Sequence, residues 1–167
     1  MFPYLSSLVL SEDSLQRLSS LRILSVIAPS SVVVQRCVDV EECPVSVKDA
    51  REKCLRVGKV ARAIVALGAS PSAEGQVEVE IGVKILVAQC KVNLRPLWPE
   101  TCKALAEVAT TQASVAWSII FSELAKATQG NRALFISESS KQTSLLLTLS
   151  EGRNGTICPS IGWVLDG

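Results

Sequence analysis

The chain contains no histidine. The commonest general base, the usual nitrogen ligand of zinc and every triad built on an imidazole are therefore absent. Aromatic residues are scarce: three Trp, three Phe and one Tyr make up 4% of 167 residues. That is few for a β-sandwich core or for a module that stacks bases on rings. Neither charge sign dominates, with 17 Lys plus Arg against 16 Asp plus Glu and a formal net charge of +1. No global field selects nucleic acid or an anionic membrane, so an electrostatic partner has to be sought in local patches. Long apolar runs are also missing, because Gly, Lys or Ser interrupts the stretches at Ile81 to Val87 and Val115 to Phe121. Crossing a bilayer takes about 20 such residues, and no membrane span is expected. Gly-rich phosphate loops of the Walker or dinucleotide type are lacking; Gly152 to Gly155 has no Lys and no flanking strand and helix.

Six cysteines are present, Cys37, Cys43, Cys54, Cys90, Cys102 and Cys158, but none forms a C-x-x-C pair or a zinc-ribbon spacing. With no secretory signal at the N-terminus, they read as buried free thiols rather than disulfides. Cys54 lies between Lys53 and Arg56, which could activate a thiol, yet sequence neighbours on a helix point to different faces. No catalytic, cofactor-binding or metal-ligating residue is assigned, and the chain is expected not to be an enzyme. What remains is a core-forming composition, 48% hydrophobic and rich in Leu, Val, Ala and Ser. It favours an all-α domain over a disordered chain.

Apolar residues fall at helical spacing along most of the length. Two helices fit the stretch from Pro3 to Ile27, with Ser11 and Asp13 as N-cap candidates between them and a stop near Ala28. Val33 to Glu42 makes a short helix ended by Pro44. Ser46 and Asp49 form the S-x-x-D arrangement of a capping box before a longer helix, VKDAREKCLRVGKVARAIVAL. On that helix Ala50, Cys54, Val57, Ala61, Ile64 and Val65 share one side, while Lys48, Arg51, Arg56, Lys59 and Arg62 spread over the other. This basic face is the candidate surface for RNA or an acidic partner, although a solvated exterior explains it too and Glu52 stands within it. The segment QVEVEIGVKILVAQ alternates as a strand would. It is nonetheless expected to be helical, because Glu80 precedes Lys84 by four residues and no partner strand is evident. Pro96 and Pro99 suit the first turn of the next helix, and QASVAWSIIFSELAKAT supplies one more, burying Val115, Ile119, Phe121 and Leu124. Trp98 and Trp117 are expected to be structural anchors between helices.

Residues 1–130 thus read as helical repeats, and 131–167 as a weakly structured, loop-rich tail with one short candidate helix at Thr143 to Leu149. Helix pairs on short turns without a catalytic cluster describe an α-solenoid of HEAT or armadillo type. Both the apolar start MFPYLSSLVL and the ill-defined finish look like cuts from a longer array.

LRILSVI, VEECP, REKCLRVGKVARAI, KVNLRPLWPETCKALAEVA and VAWSIIFSELAKA together resemble the down-regulated-in-metastasis family. These are giant HEAT-repeat components of the small-subunit processome, associated with the U-three small nucleolar RNA. The resemblance covers Phe2 to Ala127 and is most specific at Lys91 to Trp98 joined to Trp117. It implies a non-enzymatic scaffold in the nucleolus of the nucleus, acting in small-subunit rRNA processing and ribosome biogenesis. Expected partners are processome proteins and pre-rRNA or small nucleolar RNA, with no small-molecule substrate, cofactor or membrane. Members of the family are far longer, so the chain would be a fragment or truncated gene model, and exposed repeat ends would favour self-association. The alternative is a generic HEAT-type interaction scaffold, such as a transport receptor or regulatory subunit.

Overall fold

The computed structural model describes residues 8–129, and among them every regular element is a helix. Helix α1 (Ser14–Ile27) starts where the Asp13 carboxylate accepts the Leu15 amide at 2.9 Å. Helix α2 (Val32–Glu42) starts where the Ser31 hydroxyl accepts the Val34 amide at 3.1 Å. Before α3 (Ala50–Ala66), Ser46 accepts the Asp49 amide at 3.2 Å, so the capping-box residues close a turn and regular helix begins just after it. Helix α4 (Ala73–Cys90) is capped by Ser72 on the Gly75 amide. Helix α5 (Leu97–Thr111) has Pro96 at its cap position, and α6 covers 113–129. Each short oxygen satisfies an amide that the first turn leaves without an intrahelical partner. After α3, Gly68 adopts φ +78° and donates its amide to the Val65 carbonyl, a helix ending that suits glycine.

The alternating segment is the most buried helix. Val79, Ile81, Val83, Ile85, Leu86 and Ala88 of α4 are all inaccessible or nearly so, and α4 contacts α2, α3 and α5. A helix enclosed on several sides has no polar face to reveal its 3.6-residue period, and β-branched residues then imitate a strand. At Gly82 the neighbours come so close that an added Cβ would lie 2.6 Å from Ile64 Cδ1 and 3.0 Å from Val33 Cγ1. Gly58, by contrast, has nothing within 4 Å of that position.

The chain divides between Glu123 and Leu124. In the first part, successive helices from α1 to α5 contact one another, and α2 also meets α4 while α3 meets α5. From α6, Ala116 enters the core and Val115, Ile119 and Ile120 lie against it. In the second part, the Thr128 hydroxyl donates to the carbonyls of Leu124 and Ala125. The expected helix at Thr143 to Leu149 and the expected tail lie outside the described residues, as does most of the expected first helix.

Candidate functional site

Helix α3 presents the basic residues as their spacing implies, but not all of them freely. Lys48 stands in the turn before the helix, and Lys48, Arg51, Lys59 and Arg62 are exposed. Lys48, Arg51 and Lys59 make no hydrogen bond or ion pair among the described residues. The Nε–H of Arg62 folds back onto the Gly58 carbonyl at 3.2 Å. Arg56 is committed elsewhere: its guanidinium grips the Glu52 carboxylate and donates to the Asp39 carbonyl at 2.6 Å. That hydrogen bond to Glu52 raises its pKa above the ordinary value. A shallow hollow of about 220 Å³ between α2 and α3 is bounded by Asp39, Glu52, Leu55, Arg56 and Lys59. The face therefore mixes carboxylates and an exposed leucine with its cations. Four exposed cations without an aromatic among them suit phosphate or carboxylate contact, not base stacking.

A second cluster is buried and was not anticipated. The Arg17 guanidinium of α1 meets the Glu41 carboxylate of α2 in two hydrogen bonds, Nε–Oε1 at 2.8 Å and Nη2–Oε2 at 3.1 Å. The two side chains are only 5% and 2% exposed. Arg17 Nη1 also donates to the carbonyls of Ser11 and Glu12, and Gln89 of α4 donates to Glu41 Oε1 at 2.6 Å. The other amide atom of that side chain, Gln89 Oε1, has no hydrogen-bond partner. Lys53 of α3 sends its ammonium to the carbonyls of Val40 and Cys43, at 2.8 and 2.9 Å, where α2 ends. A cation on those carbonyls satisfies groups the helix end leaves open and complements its dipole. Burial nonetheless lowers the Lys53 pKa from its ordinary 10.5, against the opposing pull of the Glu41 carboxylate. The cluster fastens α1, α2, α3 and α4 together, and all its charges face inward, so it offers no ligand a point of entry.

The thiols depart from the expectation that all are buried. Cys37 and Cys43 are buried, Cys54 is half-buried, and Cys90 and Cys102 are exposed, all five being free. Desolvation pushes the Cys37 thiol well above its ordinary value of 9.0, with Glu41 and Asp39 adding to the shift. Cys90 is raised to about 11, by burial first and then by Cys102 beside it. Burial also raises Cys54, and its Sγ–H points at the Pro96 carbonyl. None of these three, Cys37, Cys54 and Cys90, is an activated thiolate at neutral pH. These thiols bind protons more tightly in the folded than in the unfolded chain. The stability they add is complete below pH 9.0 and is lost as pH climbs through their raised values. Lys53 acts oppositely, its contribution growing only as pH approaches 10.5. The urea midpoint of Cys37→Ala should therefore fall less steeply than the parent's between pH 9 and 11.

Trp98 and Trp117, expected between helices, lie at the surface instead. Trp98 is 41% exposed and its indole N–H donates to the Val92 carbonyl at 2.7 Å. This bond clamps the turn before α5. Trp117 is 49% exposed and stacks on Phe121, with ring centroids 5.5 Å apart. Phe121 and Leu124, expected in the core, are 62% and 54% exposed. The core stripe of α6 runs through Ala116, with Ile119 and Ile120 against the core, so Trp117 and Phe121, one and five residues after Ala116, face outward.

Among the described residues no three His, Cys, Asp or Glu side chains gather to hold a metal ion. No described helix is long and apolar enough to cross a membrane. No protein-family model, curated protein or solved structure matches the chain.

Proposed function

We propose that the chain is part of an α-solenoid of HEAT-like helix pairs and serves as a non-enzymatic scaffold. In this reading it acts in small-subunit rRNA processing and ribosome biogenesis in the nucleolus, contacting processome proteins and pre-rRNA or small nucleolar RNA. The observation that carries the solenoid reading is the contact order: each helix meets its successor, and α2 meets α4 as α3 meets α5. Helix pairs stacked in two rows produce that pattern, because each pair buries its apolar faces against the next. The processome assignment rests on the resemblance of the α1, α2, α3, α5 and α6 sequences to the down-regulated-in-metastasis family. The face carrying Lys48, Arg51, Lys59 and Arg62 is then the surface for RNA or an acidic protein.

Charge reversal tests this. Lys59 and Arg62 are exposed, so Lys59→Glu with Arg62→Glu should leave the helical circular dichroism intact. Incorporation of the tagged chain into pre-ribosomal particles should fall about tenfold, and loss of two phosphate contacts should flatten the salt dependence of RNA binding by a slope of about 2. Unchanged incorporation would mean that this face is merely solvated.

A further inference from the structure

A cleft of about 480 Å³ opens between the C-terminal end of α1, the start of α2 and the first half of α4. Its walls are apolar, formed among others by Leu24, Ile27, Val77 and Ile81, and two carboxylates, Glu74 and Glu78, join them. Neither carboxylate makes a hydrogen bond or ion pair among the described residues. The surrounding sequence supplies no cation: residues 23–35 carry no charge at all, and between Arg62 and Lys84 the only charged residues are Glu74, Glu78 and Glu80. On the same helices, close in sequence to the lining residues, Ile23 and Val26 of α1 and Val32 of α2 are 49%, 79% and 58% exposed.

Charge and shape together define an occupant. We propose that this cleft docks a peptide segment of a partner protein, with bulky aliphatic side chains filling it and Lys or Arg side chains meeting Glu74 and Glu78. Cavities of this size take a few side chains. A small apolar molecule could fill the cleft, but it would leave both the carboxylates and the exposed aliphatic side chains of α1 and α2 uncovered. An amphipathic peptide covers all three, by the helix-in-groove mode in which anchors one turn apart enter the groove and flanking charges set orientation. An acidic peptide is disfavoured, since its charges would face two uncompensated carboxylates. The proposal is independent of the processome reading, because it uses a different face and a partner of stated chemistry.

The probe is an amidated, fluorescein-labelled 12-residue peptide of Leu and Lys with its leucines at helical spacing, titrated against the full chain by fluorescence anisotropy. Saturable binding is expected. Glu74→Lys with Glu78→Lys should weaken it about tenfold or more. Ile27→Gln, at a partly exposed helix end, should weaken it as well, and circular dichroism confirms that both variants stay folded. Replacing Lys by Glu, or Leu by Ser, in the peptide should abolish binding. The proposal is overturned if no saturable binding occurs, if the carboxylate variant binds as tightly as the parent, or if the Ser peptide binds equally. It is overturned too if the chain self-associates in sedimentation and both variants abolish that, since a second copy would then be the occupant.

Discussion

Replacing Arg17 by Met should cost about 3–5 kcal/mol of folding stability, because it strands the Glu41 carboxylate where water does not reach. Glu41 is 2% exposed and takes two of its hydrogen bonds from Arg17. Gln89 would still donate one bond to it, but a single neutral amide does not replace a bidentate guanidinium. The carbonyls of Ser11 and Glu12 would also lose their donor. Urea denaturation reads the effect as a lower midpoint at an unchanged m-value. The double variant Arg17→Met with Glu41→Leu should recover part of the loss, since it removes the stranded carboxylate, while Gln89 loses its acceptor and Lys53 the carboxylate near it. A cost below about 1 kcal/mol in the single variant would mean that the cluster does not fasten α1 to α2.

The second large effect is steric. Gly82→Leu should destabilise the chain by about 3 kcal/mol or more, because even its Cβ would overlap Ile64 and Val33. Both neighbours are fully buried, so neither can swing into solvent to make room. Gly58→Ala should go the other way, adding about 0.5–1 kcal/mol, because its site is open and alanine restores helix propensity. The pair is informative because both glycines are mid-helix and indistinguishable by propensity. If Gly82→Leu were neutral, the close approach of α4 to α2 and α3 would be wrong.

Helix starts were legible in the sequence at Asp13 and at Ser46 with Asp49, short oxygen-bearing side chains just before apolar periodicity; the caps Ser31 and Ser72 are of the same kind but emerge only in the structure. Helix α4 was legible only by indirect argument, since enclosure by α2, α3 and α5 erased its polar face. The buried cluster was missed although part of its signal was present. At about 100° per residue, Lys53 falls on the same face of α3 as Val57, Val60 and Ile64, which marks a cation pointing into the core. Arg17, Glu41 and Gln89 carry no comparable sign, because they come from three helices and only packing brings them together. Trp98 and Trp117 misled for the converse reason: large apolar residues suggest burial, but α6 buries the small Ala116 and turns its rings outward. The basic residues of α3 were visible as a face with Glu52 inside it, yet the Asp39 backbone carbonyl that also takes the Arg56 guanidinium was not, since it belongs to the preceding helix.

The scaffold reading is tested most directly by purifying the tagged chain from nuclear extract at two salt concentrations, sequencing the bound RNA and identifying the bound proteins. At low salt, enrichment of pre-rRNA, the U-three RNA and processome subunits is expected. RNA recovery should drop steeply at the higher salt, as phosphate contacts require. Enrichment of unrelated proteins with no pre-rRNA at either salt would contradict a place in small-subunit assembly.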